Sequence, residues 1–344
     1  MKRAFLKLCA IGLMALAVAV PAMAQTAEDR ALALAAQPPQ DLDTYYNLKA
    51  EIGDDQTRTV LTALTALAHK EANLHVGDVI SGCRLPQWNA PVSAGLLLAL
   101  SASDQTTWIL YRDQASKRLN AWDRIWSLLQ KQEKTEADFD SVAGQIAASQ
   151  HEQTEKGRTL SQRVARDQFN RLSMQITSKK RLWAEGAAEP VQLYLSAIVY
   201  EHTCTADIDN TAWLKAQLAE SGWFRISVYG PNADKNAWLL VQHADHDVAF
   251  QKQVLSLLEP LIPLKETLPS NYAYLYDRVA IAEKRAQRYG TQGRCIGDKK
   301  WKAFEVENPD QLDARRASVG LMPQAEYEAI FTFCTLAMVP PSET

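Results

Sequence analysis

The stretch of residues 238–247 ends an apolar run by placing two histidines and two aspartates in five consecutive positions: His243, Asp245, His246 and Asp247. The whole chain holds six histidines, so a pair here is a local concentration of groups that titrate or bind metal near neutral pH. If one helix runs through the block, His243, His246 and Asp247 share a face at i, i+3, i+4. An imidazole oriented by a carboxylate is then a general base. The same H-x-x-H spacing with a carboxylate suits zinc, but it lacks the extra Glu of zincin-type motifs, and no metal is assigned. The opposing reading is structural: Asp245 or Asp247 caps a second helix starting at Val248, and His243 is a hydrogen-bonded core histidine.

Two further groups of polar residues follow. Asp277 and Arg278 are consecutive, so on a helix they point different ways; one can reach His243 while the other pairs elsewhere. Gln287, Tyr289 and Gln292 flank Gly290, whose left-handed conformation would turn the chain and aim the neighbouring side chains. The expectation is one polar cleft lined by His243, His246, Asp247 and Asp277 as acid–base groups and by Arg278, Gln287, Tyr289 and Gln292 as ligand contacts. Arg278 would hold an anionic group through its planar fork.

The elements that must position these residues read as helices. Residues 57–69, 113–134, 159–180, 191–200 and 271–288 carry apolar residues at helical spacing. Asp41 or Asp43 is a cap for a first helix, and residues 25–40 read as a loose leader before it. Leu119, Trp122, Ile125, Trp126 and Leu129 form an aromatic stripe that reads as core rather than as a ligand platform. Asp207 and Asp209 read as caps of a separate helix carrying Trp213, Leu214 and Leu218. Residues 226–229 read as a short extended piece. The fold class is all-α, with at most short strands. The polar run at 149–158 divides the chain into an N-terminal helical region, 25–155, and a C-terminal helical domain, 156–344.

The N-terminus reads as a secretory signal. Lys2, Arg3 and Lys7 precede a short apolar run, and Ala22-Met23-Ala24 is an A-x-A cleavage site. The run is short of the roughly 20 residues that span a bilayer. Cleavage after Ala24 removes three basic residues, leaving a formal charge of −6 in place of −3. That balance excludes a nucleic-acid footprint, and no later stretch is apolar enough to span a membrane. The expected location is periplasmic or secreted, and the expected partner is a small polar ligand or a protein. The sequence names no cofactor. Export into an oxidising compartment makes two disulfides the expected state of Cys83, Cys204, Cys295 and Cys334, with three pairings open; one disulfide and two buried thiols is the alternative.

Several blocks taken together resemble an uncharacterised bacterial family catalogued as domain of unknown function 6624. They are Gln242-His243-Ala244-Asp245-His246-Asp247 with Phe250-Gln251, the run Ala273-Tyr274-Leu275-Tyr276-Asp277-Arg278, and Gln287 with Tyr289-Gly290-Thr291-Gln292. Asp313-Ala314-Arg315-Arg316 with Gly320-Leu321 and Glu326-Tyr327 fit as well. So do the upstream Asp167-Gln168 with Arg171, and the Trp213-Leu214 and Gly222-Trp223 pairs. Where the family pattern has Pro after the second aspartate of the His-Asp block, this chain has Val248. The resemblance spans roughly 160–331 and implies a shared fold with no reaction attached. The leading functional expectation is therefore a hydrolase or polar-ligand binder. The rival is a non-catalytic interaction protein in which the His/Asp block is an internal hydrogen-bond network. No G-x-S-x-G elbow, H-E-x-x-H helix, P-loop or G-x-G-x-x-G fingerprint is present.

Overall fold

The computed structural model describes residues 26–73, 83–135, 137–178 and 186–334 of the chain. The expected signal peptide and its cleavage site lie outside these residues. Among them are twelve α-helices and one two-stranded sheet, the all-α class with short strands that the periodicity implies.

The helices are α1 (Ala27–Ala36), α2 (Asp43–Glu71), α3 (Asn89–Ser101), α4 (Gln105–Gln130), α5 (Asp140–Ser149) and α6 (Glu155–Ser178). They continue with α7 (Glu189–Ser221), α8 (Ile226–Gln242), α9 (Val248–Leu258), α10 (Pro269–Ala282), α11 (Leu312–Ser318) and α12 (Gln324–Ala329). Between α10 and α11 lies the hairpin β1 (Gly293–Gly297) and β2 (Lys300–Ala303). It pairs antiparallel, with Cys295 opposite Trp301 and a bulge before Gly297.

Three apolar clusters hold the helices. The first packs α1 to α5 against parts of α6 and α7, around Trp108, Trp122, Phe139, Phe169 and Leu195. The second joins α6, the end of α7, α8, α9 and α10 around Phe224, Leu240, Phe250 and Leu275. The third lies under the hairpin, where Trp301 and Tyr327 meet the Cys295–Cys334 disulfide. α6 supplies Phe169 to the first cluster and Leu160 and Val164 to the second; α7 does the same with Leu195 and Leu214. Both helices lie at or C-terminal to the division expected at 155/156, and each contributes to both clusters. The other disulfide joins Cys83 to Cys204 across 121 residues. It fixes the segment before α3 to the middle of α7.

Three local expectations are corrected. Residues 27–36 form α1 rather than a loose leader. Thr26 and Asp29 make a reciprocal capping box, and Ala31 is buried against the first cluster. Residues 226–229 are helical, the first turn of α8 before a kink at Gly230-Pro231. Asp207 and Asp209 cap nothing, because α7 runs unbroken through them. The short apolar runs at 94–100 and 108–111, which at that length fit a helix or a strand equally, are helical, inside α3 and α4. In α4 the aromatic stripe is core, as expected: Trp122 is buried and stacks on Phe169.

Candidate functional site

The His-Asp block is not one helix. α8 ends at Gln242, His243 is its C-cap residue, and Asp247 is the N-cap of α9. The Asp247 carboxylate accepts from the Phe250 N–H at 3.0 Å and pairs with Lys215. Burial would raise its pKa, but Lys215 and the helix N–H together hold it below the usual range. Asp247 is thus a capping residue in this structure, and the expected single face of His243, His246 and Asp247 is broken by the turn between the helices. The lack of Pro at 248 does not matter, since the Asp247 side chain supplies the start signal by itself.

His243 is carried by the end of α8 into the junction with α6 and α7. Its Nδ1–H donates to Asp167 Oδ1 at 2.9 Å, and its Nε2 accepts from Arg171 Nε at 3.2 Å. Arg171 cannot accept, so Nε2 carries the lone pair and the proton lies on Nδ1, facing the carboxylate. The Arg171 fork continues through Nη2 to both oxygens of Asp207, at 2.9 and 3.0 Å. Gln168 donates to the second oxygen of Asp167 at 2.7 Å. Asp167 is fully buried, Asp207 nearly so, and His243 and Arg171 retain 17% and 22% side-chain exposure. Solvent therefore reaches the cluster through His243 and Arg171.

The electrostatics divide the two carboxyls. Burial pushes the Asp207 carboxyl up to about 7; Arg171 lowers it and the nearby Asp167 charge raises it further. Burial also acts on Asp167, but the His243 hydrogen bond and the His243 and Arg171 charges outweigh it, leaving that carboxyl below its usual value. Burial depresses the His243 imidazolium, against the pull of Asp167 and together with the repulsion of Arg171 and Arg278. Ligand atoms of Asp167, Asp207 and His243 lie within 4.8 Å of one another, close enough to hold one cation. Arg171 bonds to Asp207 and to His243, so a guanidinium already supplies the positive charge there, and a metal ion would have to displace it.

Arg278 extends this cluster outward. From α10 it donates through Nε to Gln242 Oε1 at 2.8 Å and through Nη1 to Asp245 Oδ2 at 2.7 Å. Gln251 of α9 holds the other Asp245 oxygen at 3.1 Å. Arg278 and Asp245 are about one-third exposed, and they form the rim beside His243.

Asp277, next to Arg278, faces the other way. It is fully buried and accepts the N–H groups of Arg288, Tyr289 and Thr291 and the Thr291 hydroxyl, at 2.8 to 3.2 Å. Burial raises its pKa against those donors. Gln287 is equally committed: its amide nitrogen donates to the carbonyls of Gln292 and Phe304, and its oxygen accepts the Gln292 N–H. Gly290 takes φ +66°, and a Cβ there would meet Gln324 Oε1 at 2.6 Å. The Tyr289 carbonyl accepts from the buried Arg316, and its ring stands edge-on to Tyr276. Gln292 donates to Thr291 Oγ1 at 3.2 Å. These residues build and brace a turn.

His246 stands apart from both groups. It borders a cavity of about 460 Å³ with Asn73, Cys83 and Arg84, and its Nδ1 is buried without a partner. The eight expected residues therefore do not converge on one cleft. His243 and Arg278 come together; Asp277, Gln287, Tyr289 and Gln292 form the turn; His246 and Asp247 serve elsewhere. In the sequence Asp167 and Arg171 stand out through the family resemblance, and Asp207 reads as a cap; the structure holds the Asp167–Arg171 i,i+4 pair at a long 3.7 Å. The missed signal was phase: in one continuous helix, Val199, Thr203, Asp207, Asn210 and Leu214 lie on one buried face.

Residues 191–334 match a family of unknown function, DUF6624. Asp167 and Arg171 lie N-terminal to the matched segment. No curated protein and no solved structure matches the chain.

Proposed function

We propose that this is an exported protein that handles a small polar substrate at the Asp167–His243–Arg171–Asp207 cluster, with hydrolysis the simplest reaction for it. The observation that carries this reading is the orientation of His243. Asp167 fixes the proton on Nδ1, so the basic Nε2 lone pair points away from the buried carboxylate toward Arg171, at the cluster's exposed edge. When a substrate with an anionic group enters, Arg171 turns to it through its fork and frees Nε2 to take a proton from water. Asp207, which binds a proton near neutral pH, supplies or receives the second proton. Arg278 and Asp245 orient the substrate at the rim. Two disulfides support placement in the periplasm or outside the cell, because such bonds persist in oxidising compartments. No helix among the described residues is long and apolar enough to cross a membrane.

One observation favours the rival reading, a non-catalytic interaction protein with a structural network: both ring nitrogens of His243 are already partnered. A panel of chromogenic esters, phosphoesters, amides and glycosides, run with wild type and His243→Gln, separates the two. The enzyme reading expects turnover of one class, lost about a hundredfold or more in His243→Gln, with the melting temperature nearly kept. No turnover across the panel, with a large fall in melting temperature for His243→Gln, would make the cluster a packing device.

A further inference from the structure

A groove between α6 and α7 holds about 490 Å³. Two arginines one turn apart on α6, Arg163 and Arg166, and His202 of α7 line it. The Arg166 guanidinium lies over the rings of Trp126, Trp122 and Phe169, at 4.7, 5.4 and 5.4 Å from their centroids. Those faces hold the cation in place but satisfy none of its five N–H donors. Among the described residues, no hydrogen bond or ion pair reaches it. Burial lowers its pKa, with Asp123 the one charge acting to raise it, so the charge is poorly compensated as it stands.

Arg163 is also incompletely used. Its Nη1 donates to Asp209 and to Asn210 Oδ1, while its Nε is buried without a partner. Asp209 is the carboxylate in the lining, and at 68% exposure its pairing is screened by water and open to exchange. A half-buried guanidinium held over aromatic rings, beside a second arginine whose Nε is buried and unpartnered, presents forked donors that match the planar oxygens of a carboxylate or the oxygens of a phosphate.

We propose that this groove is a second ligand site, which takes a small solute through an oxyanion, a carboxylate or a phosphate, clamped by Arg166 with Arg163 and His202. It shares no residue with the His243 cluster and does not depend on the reading of that cluster. Arg166 and Asp167 are consecutive on α6, about 100° apart around the helix, and Arg163 stands one turn before Asp167, so a ligand here would sit beside the face that carries Asp167 and Arg171.

Calorimetric titration of the full folded chain with inorganic phosphate and with succinate tests this. Saturable binding of at least one probe is expected, at a Kd of about 1 mM or tighter. Arg166→Met, which keeps the apolar stem against the rings, should weaken it at least tenfold, and His243→Gln should leave it unchanged. Should Arg166→Met fail to fold, Arg163→Gln and His202→Gln carry the test, each expected to weaken binding severalfold. The proposal is overturned if neither probe saturates, or if binding persists undiminished in the variant that folds.

Discussion

Asp277 and Asp207 are both buried carboxylates on helices of the C-terminal half, and both are pushed toward protonation by burial. Their partners differ in kind. Asp277 is filled by three backbone N–H groups and one hydroxyl of a single turn, donors that are fixed in place and cannot titrate. Asp207 faces a guanidinium on a neighbouring helix, and through it an imidazole and a second carboxylate. A carboxylate saturated by backbone has no capacity left for a ligand. One that faces three ionisable side chains can rearrange when something else binds. Position in a conspicuous motif does not separate these cases: Asp277 lies in a dense polar block and Asp207 in the middle of a long helix.

The comparison would break first at Asp277. Asp277→Ala leaves four donors around an empty site, and the expected loss is about 3 kcal/mol or more of folding stability, measured by urea denaturation. A loss below 1 kcal/mol would mean that the turn organises itself and that the carboxylate is spare.

A somewhat smaller effect is expected from the disulfide beside Asp207. Cys83 Sγ lies 3.6 Å from Asp207 Oδ2, and the bond closes 121 residues of chain. The Cys83→Ser, Cys204→Ser double variant should lose about 2–4 kcal/mol. Hydrogen exchange should quicken around α7 and the end of α8 while the turn at 288–291 keeps its protection. Equal loosening at both places would contradict the separation of the two regions.

The smallest effect is the most specific. Asp207→Asn imitates the protonated carboxyl and should change stability by about 1 kcal/mol or less at pH 7. The wild-type carboxyl titrates higher folded than unfolded, so its stabilisation is complete below its ordinary value near 3.8 and is lost as pH rises to about 7. His243 runs the other way: its depressed folded pKa costs stability as pH falls below about 6.5. The stability of wild type relative to Asp207→Asn should therefore decline steadily from about pH 4 to pH 7. A difference that does not vary with pH would show that Asp207 is an ordinary ionised partner of Arg171.

Much of the frame was legible without coordinates. The apolar spacing at 57–69, 113–134 and 159–180 located helices because a 3.6-residue period survives any tertiary context. The aromatic stripe of α4 read correctly as core for the same reason. Two disulfides followed from an even cysteine count under an export reading, but the pairing of Cys83 with Cys204 and of Cys295 with Cys334 did not, since pairing depends on which helices become neighbours. Asp247 as a cap was one of two readings that the residues allowed. The choice fell to the backbone, which turns at 244–247 because Asp247 can start α9 there.

Composition and spacing by themselves determined the all-α class, and they named His243 and Arg278 as residues worth following. Tertiary structure alone decided which groups meet them. Asp167 and Arg171 arrive from α6 and Asp207 from α7, 36 to 76 positions away in sequence. Local periodicity records which face of a helix is buried, whereas what lies against that face is set by packing between segments distant in the chain. Only that packing could separate the carboxylate that braces a turn from the one that shares a proton.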